Sequence, residues 1–353
     1  MMLIHGVNLN MQKRIVVVTG GAGYIGSHTV VALHEAGYTP VIIDDFSNSK
    51  PEVLDGIAQI IGVKPQLFSL DCRSKNDLKQ ALQSCANNGE VAGIIHFAAY
   101  KAVGESTEKP LDYFENNIGS TVSLLASMAD SGVSNLVFSS SCTVYGQPDH
   151  IPVDESAPIL PAESPYGYTK QACERLISDA FKSSMPLSAC LLRYFNPIGA
   201  HPSAAIGELP LGHPNNLIPY LTQAAAGLRD PLTVFGNDYP TEDGTCIRDY
   251  IHVMDLARAH VASIHWLQSN NPSCEAFNLG TGTGNSVSEV IDAFQKANDV
   301  EVPFAFGPRR AGDVVAIYAN AEKAHRELGW KCEFNLEEAL RDAWRWQLQL
   351  GQT

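Results

Sequence analysis

A β-branched run, Ile15-Val16-Val17-Val18, leads directly into Thr19-Gly20-Gly21-Ala22-Gly23-Tyr24-Ile25-Gly26, and a helical pattern follows through Glu35. Strand, glycine turn and helix in that order form an anion-binding unit, because the first turn of a helix has free backbone N–H groups and a positive dipole end. Each glycine has a separate use: Gly20 for the tight turn, Gly23 for close approach of backbone N–H groups to a pyrophosphate, and Gly26 for close packing of helix on strand. A glycine motif alone is a weak signal. The strand before it and the helix after it make it a dinucleotide fingerprint.

The first half of the chain repeats this alternation of short apolar runs with amphipathic stretches. The pattern predicts an α/β fold, a doubly wound parallel (Rossmann) sheet with helices on both faces and a smaller, mixed C-terminal lobe. Strands are expected at 15–18, 40–44, 66–70, 93–97, 136–139 and 187–193. Right-handed crossovers place their carboxyl ends along one edge, where ligands bind. From Pro197 onward the composition turns to Pro-, Gly- and Asn-rich loops. The expected division is a dinucleotide-binding domain at 11–196, with 235–262 returning to it, and a substrate lobe at 197–353. Residues 1–10, ahead of a second methionine at Met11, are either an arm or an upstream start. The last helix, carrying Trp344 and Trp346, is read as core packing, and His96, in an apolar strand, as an internal residue.

Asp44 closes the second expected strand, where a carboxylate can accept hydrogen bonds from an adenosine ribose; its bland alternative is a turn or cap aspartate. Asp45 adds a second negative charge. With no arginine next to the pair, a 2′-phosphate would be repelled, which favours NAD over NADP. Asp71, after the third strand, either holds the adenine or closes a turn.

The fifth strand ends in Ser139-Ser140-Ser141, and Tyr166-Gly167-Tyr168-Thr169-Lys170 follows on an expected helix. Residues four apart share a helix face, so Lys170 lies one turn from Tyr166. An ammonium beside a phenol lowers its pKa, making Tyr166 a usable base for a sugar hydroxyl. Ser141 would bond the same oxygen, and Lys170 would also hold the nicotinamide ribose. Tyr-x-x-x-Lys is common by chance in a chain with 12 tyrosines. Its position after a glycine turn and a serine-terminated strand is what gives it weight.

On these residues the chain resembles the extended short-chain dehydrogenase/reductases, and among them the enzymes that invert carbon 4 of a UDP-hexose. The likeness runs from about Lys13 to the last helix. It includes His96-Phe97-Ala98-Ala99-Tyr100-Lys101, Leu192-Arg193-Tyr194-Phe195-Asn196-Pro197, Pro214-Asn215-Asn216-Leu217, Val234-Phe235-Gly236-Asn237-Asp238-Tyr239 and Arg248-Asp249-Tyr250-Ile251-His252. The resemblance implies bound NAD contacted by Gly20, Gly23, Tyr24, Ile25, Gly26, Asp44, Asn48, Ser49, Asp71, Cys72, Phe97, Ala98, Lys101, Tyr166, Lys170 and Tyr194, with Asn117 steadying the site. It further implies a UDP-sugar held by Lys101, Ser141, Tyr166, Asn196, Asn216, Leu217 and Thr233, with Phe235 against uracil, Arg248 and Arg310 on the diphosphate, and Asp313 near a ribose. The two arginines fit that role physically, since a guanidinium matches phosphate oxygens bidentately. The resemblance also implies a homodimer formed through helices at 111–129 and 166–181.

Three departures from the family pattern stand out. Cys142 takes the place of the usual alanine, Tyr168 and Thr169 replace Lys and Ser inside the tyrosine–lysine turn, and Ile317 stands near the sugar's carbon 2. The last leaves plain hexose, N-acetylhexosamine and pentose open. A 4,6-dehydratase of the same fold would need acidic residues where Cys142 and Thr143 stand, and a non-catalytic NAD sensor would not need serine, tyrosine and lysine together. The eight cysteines are dispersed without metal-ligand spacing and read as reduced thiols of a cytoplasmic protein. A net charge of −14 disfavours nucleic acid as a partner. No apolar run is long enough for a membrane span, and no metal site is expected.

Overall fold

The computed structural model describes residues 13–310 and 313–351; the expected arm 1–10 lies outside them. Seven parallel strands form the central sheet, in the spatial order Cys274–Leu279, Ser188–Tyr194, Asn135–Ser139, Glu90–His96, Arg14–Thr19, Thr39–Ile43, Gln66–Phe68. The two-residue strand period decides which face each side chain meets. Val16 and Val18 pack with the helices Tyr24–Glu35, Val53–Ile61 and Val253–Ser269, whereas Ile15 and Val17 pack with Lys75–Asn88, Gly119–Ser131 and Pro165–Lys182. Both faces are covered, so the strands read as continuous apolar runs rather than as alternating ones.

Strand order reverses between Arg14–Thr19 and Glu90–His96, which opens a crevice at their carboxyl ends. The chain returns to the sheet through Cys274–Leu279. That strand lies outside the segment 235–262 expected to return; within that segment the short strands Ile247–Arg248 and Tyr250–His252 join other sheets, and the helix Val253–Ser269 lies on the main one.

A second core forms around the helices Leu217–Ala225, Val287–Asn298 and Leu336–Leu350. Trp344 packs edge-on against Phe294 there, at 5.7 Å between ring centroids, as expected of a core residue. His96 is likewise internal, with its Nδ1 2.7 Å from the Thr19 hydroxyl. The strand Asn196–Ile198, two residues beyond Tyr194, pairs with Tyr250–His252 and so joins the second lobe to the edge where the sheet strands end.

Candidate active site

The glycine turn is shaped by close approach. Gly20 has φ +68°, and a Cβ on it would lie 2.8 Å from the Ala98 nitrogen; a Cβ on Gly26 would lie 2.1 Å from the Gly20 carbonyl oxygen. The helix Tyr24–Glu35 starts at Gly23 with no side-chain cap and no acidic residue in its first turn. Its N–H groups therefore face the crevice without a competing anion.

That crevice is a cavity of about 840 Å³, a size suited to a dinucleotide and part of its partner substrate. Its walls include Gly20, Gly23, Tyr24, Ile25, Gly26, Asp44, Asn48, Ser49, Asp71, Cys72, Phe97, Ala98, Lys101, Tyr166, Lys170 and Tyr194. All the residues expected around the cofactor are thus gathered in one place, with the exception of Asn117. That residue stands behind the wall, in the π-helical turn Phe114–Ile118. It bonds Tyr100 through both backbone groups, at 2.8 and 3.0 Å, and donates to the Thr169 hydroxyl at 3.0 Å. It ties the segment after the fourth strand to the helix that carries Tyr166.

Asp44 accepts from the Ala22 and Phe46 N–H groups and from the Ser49 hydroxyl, each at 2.9 Å. Burial pushes its carboxyl above the usual range, against the pull of these three bonds. Asp71 is gripped by Arg73 at 2.6 Å, and Arg73 also reaches Glu115 at 3.2 Å. The Arg73 guanidinium is therefore already compensated by two carboxylates.

Ser164 caps the helix Pro165–Lys182 by accepting the Gly167 N–H at 3.1 Å, and Pro165 occupies its first turn. This fixes where Tyr166 emerges. Tyr166 is 8 % exposed and Lys170 3 %; the ammonium donates to the Ser139 carbonyl at 2.7 Å and lies 5.8 Å from the Tyr166 ring centroid. Ser141 caps the short 3₁₀ turn Cys142–Tyr145 by accepting the Thr143 N–H at 3.2 Å, and its hydroxyl lies near enough to the Tyr166 phenol to pull its pKa down.

Electrostatics here depart from the expectation drawn from the sequence. Burial pushes the Tyr166 phenol well up, with Tyr194 adding to it, and the Ser141 hydrogen bond is what pulls it down. The Lys170 ammonium, bonded to the Ser139 carbonyl, lies near enough to the ring to favour the phenolate while it keeps its charge. Burial lowers Lys170 itself to about 8, against the support of Cys173 and Glu174.

A second cluster borders the catalytic turn. Arg310 pairs with Asp313 at 2.8 Å and lies 5.6 Å above the Phe235 ring centroid, while Arg248 reaches the same carboxylate at 3.5 Å. Arg248 is held in place by the Ile247 and Val314 carbonyls, both at 2.8 Å. Thr233 shares the exposed face of the strand Leu232–Phe235 with Phe235. Arg248 lies opposite Ile317, which packs with Cys142, Val144 and Phe195. Asn216 lines the main cavity and stands at the N-cap position of the helix Leu217–Ala225, whereas Ser141, Asn196, Leu217, Thr233, Phe235, Arg248, Arg310 and Asp313 lie off the cavity wall.

Glu208 was not expected in the site. Its carboxylate lines the cavity and accepts from Lys101 at 2.9 Å and Asn216 at 2.7 Å. An isolated acidic residue in a loop carries no sequence signal of such a role. Ser139, bonded to both Lys170 and Tyr194, stands in the serine run quoted above but was given no role there, because three serines in a row do not show which partner each will meet.

The sequence signature of the family described as GDP-mannose 4,6 dehydratase matches residues 17–343. The chain is 50 % identical over 331 residues to UDP-glucose 4-epimerase 2 of Arabidopsis thaliana, covering 94 % of each chain. It is also similar to the UDP-glucose-4-epimerase of Stenotrophomonas maltophila solved with NAD and formylated UDP-arabinopyranose (TM-score 0.92, 47 % identity, 97 % and 99 % of the two chains). The enzyme of Bifidobacterium longum solved with NAD+ and UDP matches with a TM-score of 0.91 and 42 % identity, over 95 % and 98 % of the two chains. With this glycine turn, this Ser-Tyr-Lys arrangement and near-half identity along almost its whole length, the chain belongs to the UDP-glucose 4-epimerase family of the extended short-chain dehydrogenase/reductases.

Proposed function

We propose that the protein interconverts UDP-glucose and UDP-galactose by NAD-dependent inversion at carbon 4. The observation that carries this reading is the placement of Tyr166 and Lys170 on the wall of the cavity lined by the glycine turn, with Ser141 near enough to act on the Tyr166 phenol. The uncapped helix start fits a pyrophosphate, and the acidic pair Asp44 and Asp45 fits a ribose without a 2′-phosphate. When bound, NAD+ supplies a hydride acceptor and a positive charge that favours the Tyr166 phenolate.

Tyr166 takes the 4-hydroxyl proton, with Ser141 bonded to the same oxygen, as the hydride leaves carbon 4. The diphosphate of the resulting 4-keto sugar stays on Arg248 and Arg310 while the sugar turns about it. Tyr166 then returns the proton as hydride reaches the opposite face, so net redox is zero. Asn196, Asn216, Leu217 and Thr233 contact the UDP-sugar, Phe235 stacks on uracil, and Asp313 bonds a ribose.

A dehydratase reading would need acidic residues directly after Ser141, where Cys142 and Thr143 stand. Burial pushes the Cys142 thiol up to about 12, and Thr143 carries only a hydroxyl. We further propose that the dinucleotide binds mainly to 11–196 and the UDP-sugar to the lobe 197–353, that the protein is cytoplasmic, and that two copies pair through the helices that carry Leu111, Val122 and Tyr168. Incubation of purified protein with UDP-galactose, followed by chromatography, tests the function. UDP-glucose is expected; a 4-keto-6-deoxy product or unchanged substrate contradicts the reading.

A further inference from the structure

The three serines that end the fifth strand alternate in direction, as strand residues do. Ser140, between Lys170's anchor Ser139 and the reactive Ser141, turns inward and donates to the Glu174 carboxylate at 2.5 Å. Glu174 lies one helical turn beyond Lys170 and two beyond Tyr166, on the same face of the same helix. It receives Arg193 in a bidentate pair, at 2.9 Å from Nε and 2.6 Å from Nη2. The third guanidinium nitrogen, Nη1, donates to the Tyr145 phenol at 3.1 Å, and that phenol donates to Asn278 at 2.7 Å. Tyr145 ends the 3₁₀ turn that Ser141 begins.

The segment carrying Ser141 is therefore fastened at both ends to one ion pair: through Ser140 to Glu174 and through Tyr145 to Arg193. Both charged side chains are 9 % exposed. Burying two charges carries a desolvation penalty that an apolar pair of similar volume would avoid, so their retention points to a role in geometry. We propose that Glu174 and Arg193 are positioning residues for the epimerisation proposed above, holding the Ser141 hydroxyl in register with the Tyr166 phenol.

The pair also bears on Lys170. Its ammonium faces Tyr166, Cys173 and Glu174 on its own helix, the Ser139 carbonyl and Phe138 ring from the fifth strand, and His96 from the fourth. His96 is kept neutral by burial, which lowers it to about 3. Glu174 is thus the carboxylate that supports the ammonium.

Two variants detach the turn but leave the ion pair matched: Ser140→Ala and Tyr145→Phe. Each is expected to melt within a few degrees of the wild type and to lower kcat for UDP-galactose about tenfold or more, with KM within about twofold, as misplacement of a reacting group does. Glu174→Gln is expected to lower kcat further and to move the alkaline limb of the kcat profile to lower pH, as Lys170 loses its supporting charge. Should Glu174→Gln fail to fold, the two hydroxyl variants decide the matter. Wild-type kcat in both, whatever the loss in melting temperature, overturns the proposal and makes the pair purely structural. An inactive wild-type protein overturns the functional reading and this inference with it; an active one with undisturbed variants overturns this inference alone.

Discussion

Lys170 keeps an ammonium where burial works against it, and that tension has a measurable sign. Its pKa is about 8 in the folded protein against an ordinary value of 10.5. Between those limits the unfolded chain binds a proton that the folded one has released, so folding stability gains as pH rises through this window. Activity runs the other way, because the ammonium is the useful form. kcat/KM is expected to fall on the alkaline side with an apparent pKa near 8, while Lys170→Met is more stable than wild type at pH 7 and loses that advantage by about pH 10. An advantage that grows with pH in denaturant titrations would contradict the burial argument. The pairing of Tyr166 with Lys170 was legible in the sequence because helical spacing is rigid. The direction of the amine was not, since its bond to the Ser139 carbonyl depends on a strand brought alongside by the fold. Arg310 is half exposed and already placed over Phe235. Arg310→Ala is expected to raise KM for UDP-galactose about 10–100-fold with a smaller change in kcat, as loss of a charge-assisted hydrogen bond made equally in ground and transition states would; steady-state kinetics checks this.

Among the elements, the turn between the first strand and its helix has the least room for change. A Cβ at position 26 would collide with backbone rather than with a mobile side chain, so the helix must move outward to accept it. Gly26→Ala is expected to destabilise the fold by about 1–3 kcal/mol and to yield protein with less bound NAD, read by thermal melting and by the absorbance ratio at 260 and 280 nm. Wild-type melting and full cofactor content would show that the contact yields. The buried central strands were legible because β-branched runs covered on both faces leave an unbroken apolar signal. Cys274–Leu279 was not. It lies at the sheet edge, and Glu275 and Asn278 interrupt its apolar residues; Asn278 serves instead to bond Tyr145, Val153 and Glu155. The π-helical turn holding Asn117 also escaped, because one extra residue in a helix leaves the surrounding apolar period nearly unchanged.

At the scale of the whole molecule, the half built on the seven-stranded sheet was readable from local motifs, whereas the second lobe depends on loops brought together from distant parts of the chain. Arg310 and Asp313 are close in sequence, but Arg248 meets them only after two-residue strands pair, and such strands have no sequence period to reveal them. The surface offers a further test. Leu111, Val122 and Tyr168 are 75 %, 48 % and 53 % exposed on the neighbouring helices expected to form a dimer, and an apolar group of this kind is commonly covered by a partner. Light scattering at micromolar concentration is expected to give twice the chain mass, and Leu111→Asp to shift it toward the monomer; a monomeric wild type removes the dimer. The central claim, that carbon 4 loses and regains the same hydride within one closed site, is tested most directly with UDP-galactose carrying deuterium at carbon 4. The account predicts UDP-glucose that retains the deuterium at carbon 4 in ordinary water. Product that has exchanged the label for solvent hydrogen would contradict it.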